Sequence, residues 1–512
     1  MAIIDFFDRG WRIAPDGAAY IQDGQTHSFR AVGEQSCRIA NALLAAGLEG
    51  GAKGAVWAGN DVHAWTCTLG LWRANLAWIP VGARNAAGEN GALLDAFDCE
   101  VVFYQQAYAA AVDGLRASLP KVRLWLCIET ELNSWCGAHS VIAPVVDYDM
   151  DDVVMVAPTG GTTGTPKGVM NTHRSVQTFV AHFMLACQYG PNERPVNLAA
   201  APMTHTAGVL SLPTTARGGT VVVVTKPDPA LMLCAIASHK VTEFFLPPTV
   251  IYRLLEVPGI GQLDFSSLKY FLYGAAPMSV DKLKKAVAVF GPCMTGGYGQ
   301  TEAPASIAIM PPALHFDGDR MASDERLSSV GRPSPLIRVE IMDEQNCILP
   351  PGATGEICVR GDLVMKGYYK APEKTAETII NGWLHTGDIG HLDAEGFLHI
   401  TDRKKDMLIT GGFNVYPSEV EQVIWAHPAV QDCAVIGVPD AQWGEAVKAV
   451  VEMNPGQQVT EQELIALCKE KLGSVKSPKS VDFVAALPRS AIGKVLKKDL
   501  RAQYWSAAER QI

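Results

Sequence analysis

One stretch, Ala157-Pro-Thr-Gly-Gly-Thr-Thr-Gly-Thr-Pro-Lys-Gly-Val-Met170, crowds glycines and threonines around a single lysine. Glycines let backbone N–H groups turn toward a ligand without Cβ obstruction, and threonine hydroxyls add further donors. Such a set suits polyanionic oxygens, with Lys167 as a point charge. A plain surface turn needs neither this many donors nor a lysine. The pattern is not the G-x-x-x-x-G-K-[ST] loop, because Pro166 precedes the lysine and Gly168 follows it. No hydroxyl adjoins the lysine to hold a divalent cation, so a metal ligand must come from elsewhere in the chain.

Four further stretches carry groups able to do chemistry. Gly296-Gly-Tyr-Gly-Gln-Thr-Glu-Ala303 sets an aromatic ring, a hydroxyl and a carboxylate among glycines. Trp383-Leu-His-Thr-Gly-Asp388 ends in a second carboxylate, and Thr401 to Val420 begins with the charged run Asp402-Arg-Lys-Lys-Asp406. Leu487-Pro-Arg-Ser-Ala-Ile-Gly-Lys-Val-Leu-Lys-Lys498 places Lys494 after a glycine. In this order, and spread over nearly the whole chain, the five stretches resemble those of the adenylate-forming superfamily of acyl-CoA synthetases, peptide-synthetase adenylation domains and luciferases.

The resemblance implies a two-step reaction. A carboxylate attacks the α-phosphorus of Mg·ATP to give an acyl-adenylate and pyrophosphate, and a thiol or other nucleophile then displaces AMP. The first step demands positioning of two anions and neutralisation of charge developing on phosphate oxygens. By this resemblance Thr159, Gly160, Gly161, Thr162, Thr163, Gly164, Thr165 and Lys167 hold the β- and γ-phosphates. Tyr298 lies against the adenine, with Gly274, Ala275 and Ala276 on the other side, and Gly297, Gly299, Gln300 and Ile400 complete the nucleotide surround. Thr301 contacts the α-phosphate, and Glu302 ligates Mg²⁺, a hard cation that takes carboxylate and phosphate oxygens together. Asp388 accepts the ribose hydroxyls and Arg403 donates to the same sugar.

Lys494 is expected to bridge the substrate carboxylate and the α-phosphate, where a compact mobile cation helps most in the transition state. Taken by itself it would pass for a surface lysine beside Lys497 and Lys498. Lys405 aligns with a hinge about which the small domain swings between half reactions. Gly411 and Gly412 would line a tunnel for the pantetheine arm of coenzyme A. Trp443, Lys476 and Lys479 are candidate contacts to its nucleotide and phosphates.

By the same resemblance the acyl pocket is assigned to Met203, His205, Gly208, Val209, Tyr273, Gly274, Gly297, Ala303 and Ser306; His205 stands at its mouth and in the catalytic set with Thr301, Glu302 and Lys494, or is a structural histidine donating to a backbone carbonyl. None but the histidine can carry charge, so an apolar monocarboxylate fits better than an acid needing a fixed counter-charge. Both an aromatic or alicyclic acid and a medium-chain fatty acid satisfy this; the small Gly296 and Gly297 tilt the reading toward ring-bearing acids. The expected activity is an ATP-dependent carboxylate–CoA ligase. The alternative is an adenylate-forming enzyme with another acceptor, either a stand-alone amino- or aryl-acid adenylation enzyme or a luciferase-like oxygenase.

These groups need a scaffold. Short apolar runs alternate with helical patterns from residue 29 to about 273, which implies βα units and largely parallel sheets covered on both faces. Ligands of such sheets bind past the carboxyl ends of strands, where both the loop at 159–168 and Gly274-Ala-Ala-Pro277 begin. From about 327, strand-like pieces separated by Gly/Pro/Asp turns suggest a small antiparallel sheet. After Asp402-Arg-Lys-Lys-Asp406, segments 419–425, 432–438 and 447–451 read as a βαβ-like set. The expected fold is α/β: a large N-terminal domain, 1–402, of parallel-type sheets plus a β-rich subdomain, and a small mobile α+β C-terminal domain, 403–512.

Composition agrees with that reading. A chain of 512 residues with 48% hydrophobic and 19% charged content suits two or more soluble globular units. Its formal charge of −10 argues against nucleic acid or an anionic membrane as partner. The twelve scattered cysteines form no C-x-x-C pair and suggest reduced buried thiols. With no signal peptide or membrane span evident, a cytoplasmic location is expected. The expected partners are the carboxylic acid, ATP and CoA, with a homodimer as an open alternative to a monomer.

Overall fold

The structure, a computed structural model, describes residues 1–159, 167–204, 206–226, 228–410, 413–440, 443–489 and 495–505. Helices begin where a short polar side chain can satisfy the first free N–H groups. Ser28 Oγ accepts from Ala31 N ahead of helix Phe29–Ala45. Asp61 Oδ1 accepts from Ala64 N ahead of Val62–Arg73, and Thr172 with Ser175 forms a capping box ahead of His173–Ala186. Further helices run over Ala87–Ala96 and, after the capping box, His173–Ala186. Gly47, just past helix Phe29–Ala45, adopts φ +73°, a left-handed conformation that costs glycine little.

The apolar runs form two large sheets. In the nine-stranded sheet, strands Ala18–Gln22, Thr220–Val223, Val196–Ala199, Glu243–Leu246, Tyr270–Gly274 and Met294–Gln300 run parallel in that order. In the seven-stranded sheet the parallel set is Leu124–Cys127, Cys99–Tyr104, Lys53–Trp57, Ala77–Pro80 and Val153–Thr159. Each sheet turns antiparallel at the edge that matters here. Ala303–Met310 doubles back on Met294–Gln300, and Lys167–Thr172 doubles back on Val153–Thr159. The β-rich region is antiparallel, joining Ile337–Met342, Gly355–Gly361, Trp383–Leu392 and Leu398–Arg403.

One continuous apolar core joins all three sheets. It holds Tyr20 and Leu272 of the first, Phe103 and Val169 of the second, and Ile357 and Leu398 of the third. At its centre Trp65, Trp72 and Trp78 meet edge to face, with ring centroids 5.4–6.0 Å apart. Separate cores fill the outer faces of the nine-stranded sheet and the seven-stranded sheet.

Residues from Leu408 to Val481 build a core of their own. Its topology corrects the βαβ-like expectation. Segment 419–425 lies in a helix, Pro417–Trp425, while Val430–Asp440 and Gly444–Met453 pair antiparallel as a long hairpin. The parallel crossover comes later, from Gly444–Met453 through helix Glu461–Lys476 to Ser480–Val484. Alternating apolar residues look the same in both arrangements; the short connection after Asp440 is what selects the hairpin. All twelve cysteines are free thiols, with Cys234 and Cys347 exposed and the others buried. Among the described residues no helix is long and apolar enough to cross a membrane.

Three buried histidines each have one donor and one acceptor relationship, which fixes them neutral. His173 Nδ1 accepts from Ile3 N and its Nε2 faces Asn75 Oδ1; His182 faces Ser306 Oγ and accepts from Leu336 N; His315 accepts from Tyr273 Oη and faces Pro311 O. Burial lowers each pKa from 6.5 to about 4. The unfolded chain therefore binds protons before the native state does. Their contribution to stability is complete above pH 6.5 and is lost as pH falls toward 4. A melting-temperature profile should be level just above neutrality and fall progressively below pH 6.5; a flat profile down to pH 4.5 would contradict it.

Candidate functional site

The glycine-rich stretch connects two antiparallel strands, with Thr159 paired to Lys167 at its base. Gly160, Gly161, Thr162, Thr163, Gly164 and Thr165 lie outside the described residues, as do His205, Gly411, Gly412 and Lys494. Lys167 is described, and its ammonium sits 4.7 Å from the centre of the Tyr368 ring.

Thr301 and Glu302 form the two-residue turn between strands Met294–Gln300 and Ala303–Met310. Gly299 permits the tight return, because a Cβ there would lie 2.5 Å from Ala305 N. Three elements from outside the hairpin grip this turn. Asn171, beside the glycine-rich stretch, donates through Nδ2 to Thr301 O at 3.3 Å. Met365 N donates to Glu302 O at 2.8 Å, and Tyr368 Oη donates to Glu302 Oε1 at 2.8 Å. Gln300 Nε2 donates to Thr386 O at 3.2 Å, tying the turn to the strand that carries Asp388.

Asp388 is buried, yet both its oxygens are engaged. Tyr298 Oη donates to Oδ2 at 2.7 Å, and Arg403, directly across the strand pair, places Nε 3.2 Å from Oδ1. Burial, together with the Asp388 charge, pushes the Tyr298 phenol well above its usual range, so it remains a donor. A carboxylate has about four lone-pair sites, so acceptor capacity remains for two hydroxyls of a sugar. Ile400, on the same strand as Arg403, pairs with Gly390 and is half-buried. Ala275 has φ +66°, unusual for a residue with a Cβ, where the chain leaves Tyr270–Gly274. Gly274 is needed there for a close approach, since a Cβ would lie 2.4 Å from Gly297 O. Ala276 is half-buried beside it.

A divalent cation fits this set through one protein carboxylate. Among the described residues Glu302 Oε2 accepts no hydrogen bond, and no group of three His, Cys, Asp or Glu side chains gathers elsewhere. One carboxylate oxygen plus phosphate oxygens and water is the coordination that Mg²⁺ takes beside a nucleotide.

The acyl-pocket assignments fare unevenly. Met203, Ala303 and Ser306 are fully buried, and Ser306 is held by His182. At Gly208 a Cβ would lie 2.1 Å from Met203 O and 2.3 Å from the Trp65 ring, so close packing requires glycine there. It is a packing glycine, next to the buried Val209. At Gly296 a Cβ would lie 3.0 Å from Tyr273 Oη, a phenol committed to His315. Gly297 is less confined, with Ala305 O at 3.4 Å from such a Cβ.

In the small unit, Trp443 is exposed and the Lys479 ammonium lies 5.8 Å from its ring centre, so those two candidates come together. Lys476 does not join them; it is paired with Glu419. Lys405 is exposed in a turn between strands Leu398–Arg403 and Leu408–Thr410. Its neighbours are anchored, Lys404 to Glu356 at 3.2 Å and Asp406 to Arg501 at 2.9 Å. Arg489 and Val495, either side of 490–494, bridge antiparallel, and Arg489 pairs with Asp432 at 2.7 Å.

Sequence reasoning missed Tyr368 and Asn171. Neither lies in a stretch with a recognisable pattern, and each acts on a turn more than 60 positions away along the chain.

Comparisons with known proteins agree with this geometry. The family described as AMP-binding enzyme matches residues 7–369, and its C-terminal domain matches residues 419–494. A medium/long-chain-fatty-acid–CoA ligase, FadD8 of Mycobacterium tuberculosis, is 40% identical over 381 residues, covering 72% of this chain and 65% of that protein. A feruloyl-CoA synthase of Amycolatopsis is 34% identical over 495 residues, 96% of this chain and 97% of the relative. Among solved structures, the amide bond synthetase McbA from Marinactinospora thermotolerans superposes with a TM-score of 0.88 at 31% identity, covering 98% of this chain and 100% of that one.

The packing role of Gly208 is directly testable. Gly208→Ala should destabilise the large core by about 1–3 kcal/mol, through overpacking against Trp65. Thermal unfolding would show it as a lowered first transition with nucleotide binding retained. Unchanged stability with an altered acid preference would return Gly208 to the pocket.

Proposed function

We propose, from the premise that the chain belongs to the AMP-binding enzyme family within the adenylate-forming superfamily, that it activates a hydrophobic monocarboxylic acid as its acyl-adenylate and passes the acyl group to coenzyme A. AMP-forming acid–thiol ligation is the class of its curated relatives. The acid, the residue roles and the division into units 1–402 and 403–512 are part of this proposal. The observation that carries it is the convergence on the turn Gln300–Glu302 of three elements: the strand bearing Lys167, the strand bearing Asp388 and the segment 365–368.

In the first half reaction the acid's oxygen attacks the α-phosphorus and the bond to pyrophosphate breaks. The acid is already ionised at neutral pH, so no base is required. Lys167 and the loop before it hold the leaving pyrophosphate, Thr301 meets the α-phosphate, and Asp388 with Arg403 and Tyr298 fixes the nucleoside. When bound through Glu302, Mg²⁺ neutralises charge on the phosphate oxygens. Lys494 reaches the α-phosphate and the acid from the small unit. In the second half reaction the CoA sulfur attacks the acyl carbonyl and AMP leaves. Rotation about Lys405 exchanges the Lys494 segment for Gly411 and Gly412, with Trp443 and Lys479 meeting the CoA nucleotide. Fatty acids and ferulate, named for the relatives, bracket the expected acids as chain and ring. An amine acceptor is the second reading, favoured by the likeness to an amide bond synthetase.

Two measurements test this. A panel of fatty and aromatic acids with ATP and CoA should yield the thioester, AMP and pyrophosphate; release of ADP and phosphate would overturn the mechanism, and an amide formed in preference to the thioester would move the chain to the second reading. Lys494→Ala should slow acyl-adenylate formation by about 10²–10³-fold, the scale of losing one preorganised charge-stabilising donor. Thioester formation from supplied acyl-adenylate should stay within a few-fold of wild type; equal losses in both steps would deny Lys494 that role.

A further inference from the structure

Tyr368 touches both halves of the phosphate side of the site. Its ring face carries the Lys167 ammonium at 4.7 Å, and its hydroxyl donates to Glu302 Oε1 at 2.8 Å. The side chain is buried, so its orientation is set by packing. Its backbone is equally constrained. Tyr368 pairs with Val169, Lys366 N donates to Met170 O, and Tyr369 N donates to Gly168 O, so the segment is stitched to the strand that starts at Lys167. Tyr368 N donates to Thr375 Oγ1, and Gly367, at φ +145°, lets the chain pass where a Cβ would lie 2.8 Å from Thr375 Cγ2. Met365 N, three residues earlier, holds Glu302 O. A short strand thus fixes Lys167 and Glu302 relative to each other.

We propose that Tyr368 is a positioning residue that couples the phosphate-holding Lys167 to the metal-holding Glu302. This rests on the roles proposed above for those two residues. The hydroxyl occupies one carboxylate oxygen and so presents the other, Oε2, to a cation. The ring face holds the lysine ammonium without neutralising it, as a carboxylate partner would, so Lys167 keeps its full charge for phosphate. The two contacts are separable. Removing the hydroxyl disturbs Glu302 and the neighbouring Thr378 but leaves the ring under Lys167, and removing the ring disturbs Lys167 as well.

Calorimetric binding of ATP to the full chain, with and without Mg²⁺, tests this without relying on turnover. Tyr368→Phe should leave ATP binding in the absence of Mg²⁺ unchanged and raise the Mg²⁺ concentration needed for half-maximal tightening about ten-fold, the scale for losing a partner that orients a metal ligand. Tyr368→Leu should in addition weaken Mg²⁺-free ATP binding about three-fold through the loosened lysine. In a Glu302→Gln background, Tyr368→Phe should have no further effect on the Mg²⁺ response. A Phe variant with the wild-type Mg²⁺ response, or one weakened equally with and without Mg²⁺, would overturn the proposal. Should Tyr368→Leu fail to fold, the Phe variant and the double variant still decide it. If wild type itself bound no ATP, or bound it without regard to Mg²⁺, the underlying reading of the site would fail instead.

Discussion

The site depends on a two-residue turn held from outside its own hairpin. Thr301 and Glu302 sit where two antiparallel strands reverse, and a turn that short leaves their backbone little freedom. Direction is set by donors from other elements: Asn171 on Thr301 O, Met365 N on Glu302 O and Tyr368 Oη on the carboxylate. A charged side chain with one oxygen satisfied by a buried phenol keeps the other for a cation at little ordering cost. The grip also joins strands near the edges of the two large sheets. A shift of one sheet against the other would be felt first at this turn.

That the sheets do not shift follows from the shared core. Apolar residues of all three sheets pack into one cluster around the Trp65, Trp72 and Trp78 rings. Close-packed interiors transmit displacement instead of absorbing it, so the groups at the strand ends hold their spacing. The small unit is joined differently. It has its own core, and near residue 405 its contacts to the rest are polar, Ser418 N to Asp402 and Lys404 to Glu356, while within the unit the half-buried Lys497 pairs with the buried Glu421. Burial works against the charge of Glu421, and Lys497 offsets it. Polar contacts of this kind favour one arrangement without the area-wide adhesion of an apolar face.

Patterns local in sequence were read well. The hydrophobic alternation located the strands and helices to within a few residues. Non-local packing was not readable. Which neighbour packs against Gly208 or Gly296, Trp65 or Tyr273, depends on chain segments far away. Lys476 and Lys479 are alike as solvated lysines on paper, yet Glu419 claims one and Trp443 attracts the other.

The sequence by itself determined the chemistry on offer. The glycines, Lys167, Glu302, Asp388 and Arg403 stand in short stretches whose types and order carry the family resemblance, and the backbone donors and charges they supply are legible within a few residues of chain. Only the tertiary structure decided how they are aimed. Tyr368 and Asn171 belong to no such stretch, and Asp388 is engaged by Tyr298 from a different sheet. A side chain's direction depends on partners that arrive through folding, and no local pattern carries that information.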